Sequence, residues 1–203
     1  MNEVLFNCIL DGFPQSYKGY LLNTDFKVGI LLTLLLEDED IPDDLKYLQA
    51  FDLLYKDKVP DDMELAVEGL IWFISCGKSE LFYADGYKED KCSEKCIDFT
   101  QDHLDIWGAF WARGIDLTVT NMHWFKFMSA IGNLGDCPLS TKIGYRATEL
   151  KDMKGETRAY YAKLKEKYRV RKIVTREELS SIISNAEKKH GSYYAKLLKA
   201  QQQ

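Results

Sequence analysis

This chain is poor in the residues and motifs that enzymes use. It has three histidines in 203 residues, and no P-loop, no G-x-G-x-x-G and no G-x-S-x-G. The usual frames for a phosphate cradle, a dinucleotide site and a nucleophile elbow are therefore missing. His123 has Cys76 and Cys137 as conceivable nucleophiles in the same chain, yet neither cysteine sits in a nucleophile motif. A histidine in the first turn of a helix more commonly packs or hydrogen-bonds. Cys92 and Cys96, with His103 nearby, make half of a metal site, whereas a structural zinc needs four ligands. Five scattered cysteines instead fit free thiols in a reducing compartment. Long apolar runs are also lacking. Val28 to Leu36 is broken by Gly29 and Thr33, and falls well short of the ~20 residues that cross a bilayer. Met1-Asn2-Glu3 does not begin a signal peptide. The expectation is no enzyme, no cofactor, no metal and no membrane.

Carboxylates are plentiful, and paired carboxylates can serve as acid and base. Here they crowd the starts of helices, as in Asp43-Asp44 and Asp61-Asp62, where caps and the helix dipole account for them. The net charge of −5 hides a strong polarity. Residues 1–141 hold 11 basic and 25 acidic side chains, a balance of −14, while residues 142–203 carry +9. Such an arrangement orients a chain on a charged partner, or joins one copy's acidic body to another's basic end.

Helical periodicity dominates the rest. Val4–Leu10 and Tyr17–Leu22, separated by Asp11-Gly12-Phe13-Pro14, predict a small hairpin that must lean on helices. Thr24 or Asp25 caps a helix to about Leu36, apolar nearly all round. Pro42 opens the next, with Leu45, Leu48 and Phe51 expected on its inner face. Asp61 and Glu64 open a third through Ile74, with Met63, Val67, Leu70, Ile71 and Ile74 as its buried stripe and Gly77 as its stop. Residues 78–97 read as a charged connection, followed by a helix over 100–112 carrying Leu104, Trp107 and Trp111 on one stripe, with Ile106 and Phe110 beside it. Thr120 or Asn121 then caps a helix in which Trp124, Phe127, Met128 and Ile131 share a face, ended by Gly135 and Pro138. The paired aromatic helices, with Trp107, Trp111, Trp124, Phe127 and Ile131, are the expected core. Helices over 141–150 and 156–169, and a last one capped by Thr175, complete the pattern. The fold class is mainly α, a compact helical domain over 1–150 with an N-terminal β-hairpin, then a basic helical extension over 151–203.

Lys163, Lys165, Lys167, Arg169, Arg171 and Lys172 lie beside Tyr160, Tyr161 and Tyr168, a mixture that nucleic-acid proteins use. The charges spread around the helix with Glu166 among them, and the larger part of the chain carries −14. A protein-docking surface is the better reading, and nucleic acid is not an expected partner.

Gly114-Ile115-Asp116-Leu117, Met122 to Phe127 and Gly144-Tyr145-Arg146 resemble a small protein of long-tailed bacteriophages of Gram-positive hosts. Its gene lies just before that of the tape-measure protein, and it is akin to the tail assembly chaperones. Asn23 to Phe26 and Asp98-Phe99…Asp102 look like the same family, over about residues 4–172. Two departures stand out: Phe125 replaces a frequent second tryptophan, and residues beyond Lys172 match nothing. The resemblance implies a chaperone that binds the tape-measure protein, keeps it soluble and helps recruit tail-tube subunits. It also implies self-association, a place in the cytoplasm of the infected host, and absence from the mature virion. Phe125, Arg146, Tyr160, Lys167, Arg169 and Arg171 are the candidate partner-binding residues. The rival readings are a virion component, such as a tail completion or connector subunit, and a basic-tailed nucleic-acid regulator.

Overall fold

The computed structural model describes residues 6–77 and 95–171. They form a short hairpin, β1 (Ser16–Tyr17) and β2 (Tyr20–Leu21), and seven helices. These are α1 (Phe26–Glu37), α2 (Asp43–Leu54), α3 (Met63–Ile74), α4 (His103–Trp111), α5 (Trp124–Gly132), α6 (Pro138–Ala147) and α7 (Gly155–Tyr168). The mainly α reading holds.

The hairpin is shifted from its expected place. Lys18 and Gly19 adopt φ of 45° and 91°, so they make the tight turn and pair Tyr17 with Tyr20. Asn7–Asp11 is a hydrogen-bonded turn, not a strand, with the backbone N–H groups of Leu10 and Asp11 donating to the Asn7 carbonyl.

The extended segment after β2 fastens the fold along both edges. Asn23 N–H donates to the Leu54 carbonyl at 2.7 Å, and the Leu21 carbonyl accepts from Lys56 N–H. On the other side Phe26 N–H donates to the Met122 carbonyl, and Trp124 N–H to the Thr24 carbonyl, each at 2.8 Å. The ends of α2 and α5, far apart in sequence, thereby meet at the start of α1. Asp25 caps α1 by accepting from Lys27 N–H, and Asp62 caps α3 by accepting from Glu64 N–H.

The helices bury narrower faces than periodicity alone implies. α1 buries Phe26, Val28, Gly29 and Leu32, and leaves Leu31 exposed. The inner face of α2 is Ala50, Phe51 and Leu54, while Leu45 and Leu48 face solvent. The stripe of α3 is Ala66, Gly69, Leu70 and Phe73, and Met63 and Ile71 lie outside. Small residues explain the rotation. A Cβ on Gly29 would sit 2.2 Å from the Trp124 ring, and one on Gly69 would sit 2.2 Å from the Tyr55 hydroxyl oxygen. Close approach of bulky neighbours at these glycines turns the helices away from their most apolar side. The Tyr55 hydroxyl donates to the Ala66 carbonyl, and burial pushes its pKa up to about 12.

The chain divides into Met1–Tyr168 and Arg169–Gln203. The expected boundary at 150 falls before α7, which packs on α6 within the first unit through Tyr145 stacked on Tyr168 at 5.5 Å. The helix expected after Thr175 lies outside the described residues, as do Cys92 and most of the charged connection.

Candidate interaction site

Trp124 is the centre of the core. It is buried, tilts against Phe73 and Phe99, and lies against Phe127, which itself stacks on Phe26 at 4.7 Å and Phe110 at 5.4 Å. Trp124, Phe127 and Ile131 are therefore packing residues, as α5 periodicity suggests. The cap is not Thr120 or Asn121 but His123. Its Nδ1 accepts from Phe125 N–H at 3.1 Å, while its Nε2 lies 2.8 Å from the Pro14 carbonyl. Both contacts require a neutral ring protonated on Nε2, which donates to Pro14. Burial lowers the His123 pKa, and the Pro14 carbonyl only partly opposes it.

A pH dependence follows from that ring. The unfolded chain takes up the His123 proton near the ordinary value of 6.5, before the folded chain does. The contribution of His123 is thus complete above that pH and is lost as pH falls through its lowered folded value. Urea midpoints measured from pH 7.5 to 5.5 should drop more for the wild type than for His123→Asn, which keeps a capping oxygen and removes the titration. Parallel pH profiles would contradict the neutral cap.

A second centre joins α4, α6 and the end of α7. Asp102, at the start of α4, and Arg146, in the last turn of α6, are both buried. The guanidinium grips the carboxylate with two bonds, Nη1 to Oδ2 at 2.5 Å and Nη2 to Oδ1 at 2.9 Å. Its remaining donors reach the Cys96 carbonyl at 3.0 Å and, from Nε, the Tyr168 carbonyl at 2.5 Å. Asp102 Oδ2 also accepts from Asp98 N–H. Asp98 accepts from the N–H groups of Thr100 and Gln101, and its other oxygen meets Lys95, which also pairs with Glu37. Burial raises the Asp98 pKa, but Lys95 and these N–H groups outweigh it and hold the carboxyl below its ordinary range. No buried side-chain polar atom among the described residues is left without a partner.

Arg146 and Phe125, expected as partner-binding residues, are thus internal. Phe125 is buried against Phe6, Trp72 and Phe73, with ring centroids 5.3–5.9 Å away. Tyr160, Lys167, Arg169 and Arg171 are exposed, and Lys167 lies over the Tyr168 ring at 5.0 Å.

The larger correction concerns α4. Ile106, Ala109 and Phe110 face the core, so Trp107 and Trp111 are not core residues. They stack on each other on the outside at 5.2 Å, with 36% and 55% of their surfaces exposed, and Leu104 continues the stripe at 70%. Leu104, Trp107 and Trp111 lie three and four residues apart, one turn above another, over roughly 10 Å of helix. The Trp107 indole N–H donates to Asp116 Oδ1 at 3.4 Å, which orients the ring. Asp116 is held below its ordinary pKa by the Thr118 N–H and hydroxyl. Sequence reasoning found the stripe and misassigned its side, because α4 carries apolar residues on two opposite faces. It also missed Gly29, whose signal was an interruption in an apolar run.

The profile of the family described as Bacteriophage Gp15 protein matches residues 10–170. The chain belongs to this bacteriophage protein family. The match spans the core, the Arg146–Asp102 pair and α7, and ends just before Arg171. No curated protein and no solved structure matched the chain. Among the described residues no helix is long and apolar enough to cross a membrane, and no group of His, Cys, Asp and Glu is arranged to hold a metal.

Proposed function

We propose that this Gp15-family protein is a non-enzymatic tail assembly chaperone. It binds the phage tape-measure protein in the host cytoplasm, keeps it soluble, and helps recruit tail-tube subunits. The observation that carries the reading is the exposed stripe of Leu104, Trp107 and Trp111 on α4. A soluble chain that leaves two stacked tryptophans on one helix face has a surface suited to another protein's apolar side. Trp is also the residue type most enriched among binding hot spots. A long helical client presents apolar residues at the same three- and four-residue spacing, so the stripe meets it as one helix meets another. Weak contacts repeated along an extended client add up, while each stays displaceable when tube subunits arrive.

The test is co-expression with the product of the next long reading frame, with one protein tagged. The long protein is expected to precipitate alone and to purify in soluble form with this one. The double variant Trp107→Ser/Trp111→Ser should lose at least tenfold in captured client, with a denaturation midpoint close to wild type because the rings are outside the core. A client that is neither bound nor rescued sinks the reading. Finding the protein in purified particles would favour a structural virion component instead.

A further inference from the structure

A second exposed apolar face lies on α2. Leu45 and Leu48 are 45% and 58% exposed, and Asp44 and Asp52 bracket them on the same side of the helix, at one and four residues' distance. This helix sits within the most acidic stretch of the chain, since residues 37–68 hold 12 acidic and 3 basic side chains. The opposite charge lies at the end of the described residues. Residues 158–171 carry six basic side chains and one acidic, and Tyr160, Lys163 and Lys167 are exposed at helical spacing on α7. Among the described residues α7 has no buried residue and packs on α6 through Tyr145, Tyr161 and Tyr168, which leaves Tyr160, Lys163 and Lys167 exposed.

We infer that α2 is a docking face for a second copy of this chain, which brings the outer side of α7 to it. Leu45 and Leu48 take the Tyr160 ring and the aliphatic stems of the lysines, and Asp44 and Asp52 meet the ammonium groups of Lys163 and Lys167. Long basic side chains suit this, because their methylene stems cover apolar surface while their charged heads stay wet. The two faces are different surfaces of one protomer, so the contact is heterologous. Each bound copy offers a fresh α2 and a fresh α7, which builds a chain or a closed ring. A membrane or a nucleic acid would find the α7 charge but not the acidic α2 face, so a second copy is the occupant that uses both. The contact leaves the α4 tryptophans free and does not depend on client binding.

Sedimentation of the full-length protein at about 100 μM tests this. At low salt the weight-average mass should exceed the 23.5 kDa monomer at least twofold, and about 0.5 M salt should bring it back toward the monomer, since exposed charges are screened within a few ångströms there. Asp44→Lys/Asp52→Lys and Lys163→Glu/Lys167→Glu should each be monomeric alone while keeping the wild-type circular dichroism spectrum. Mixed together they should reassemble, because each reversed face then meets its complement. A wild type that is monomeric at low salt overturns the inference. So does an oligomer that ignores salt, one that survives either reversal, or a pair of variants that stays apart on mixing.

Discussion

Asp102→Ala is expected to destabilise the protein by about 3–5 kcal/mol, because it leaves a buried guanidinium without its carboxylate. That is a large part of the roughly 5–15 kcal/mol that holds a domain folded. The reason is geometric. Arg146 is 4% exposed, and water cannot replace the two bonds lost from Asp102. The carbonyls of Cys96 and Tyr168 would still face a charge that has lost its counter-ion. Arg146→Met should cost about the same 3–5 kcal/mol by stranding the carboxylate, and it should also loosen α7, whose last carbonyl loses its donor. The double variant Asp102→Leu/Arg146→Met separates the charge from the packing. It should recover much of the loss, because a buried ion pair contributes little net stability compared with apolar groups of similar size. Urea denaturation of the three variants decides the point. An Asp102→Ala protein within about 1 kcal/mol of wild type would show a solvated pair, of the kind that contributes little.

Gly29→Ala should destabilise by about 1–3 kcal/mol or more, the usual range for overpacking a core. In an unobstructed helix the same change stabilises by up to about 1 kcal/mol, since glycine is a poor helix former. The sign here is set by Trp124, whose Cδ2 and Cε3 atoms would lie 2.2 Å from the new Cβ. Neither can yield easily. The Trp124 ring is held by Phe73, Phe99 and Phe127, and its indole N–H donates to the Ile74 carbonyl. Trp124→Leu alone should cost several kcal/mol, near the 3–5 typical of truncating a buried aromatic. In that background Gly29→Ala should become neutral or stabilising, as the methyl fills part of the vacated space. The coupling between the two sites is thus expected to exceed 1 kcal/mol. Independent effects in the two backgrounds would mean that the ring does not press on α1.

Much of the architecture was legible from local chemistry. Asp25 caps α1 as its place before an apolar run suggests, whereas the cap of α3 is Asp62, one residue past the expected Asp61. Pro138, expected only to end the preceding helix, opens α6 three residues before the helix expected at 141. Helix starts are legible to within a few residues because capping joins residues two or three apart, but several neighbouring side chains can each serve, and the choice among them is not local. Trp124, Phe127 and Ile131 could likewise be assigned to the core, since they form one apolar stripe on α5, whereas Phe125 beside that stripe was expected at the surface and is buried too. Where a helix has apolar residues on two sides, as α4 does, its own pattern cannot say which side is covered. Trp107 and Trp111 are larger than Ala109 and Ile106, yet the smaller face went inside because it fits against Phe127 and α6.

The sequence by itself thus determined a mainly helical chain, the approximate places of its helices, its division of charge and its aromatic centre. These depend on neighbours along the chain and on composition. The tertiary structure alone decided that His123 is the cap of α5, that Gly29 makes room for Trp124, and that Arg146 is locked to Asp102 rather than offered to a partner. It also decided that the tryptophan pair of α4 faces outward. Apart from the His123–Phe125 bond, which is local but needs Pro14 to hold the ring, each of these depends on residues dozens of positions apart, brought together only when the helices close on one core. Burial is a property of that closure, and no local spacing encodes it.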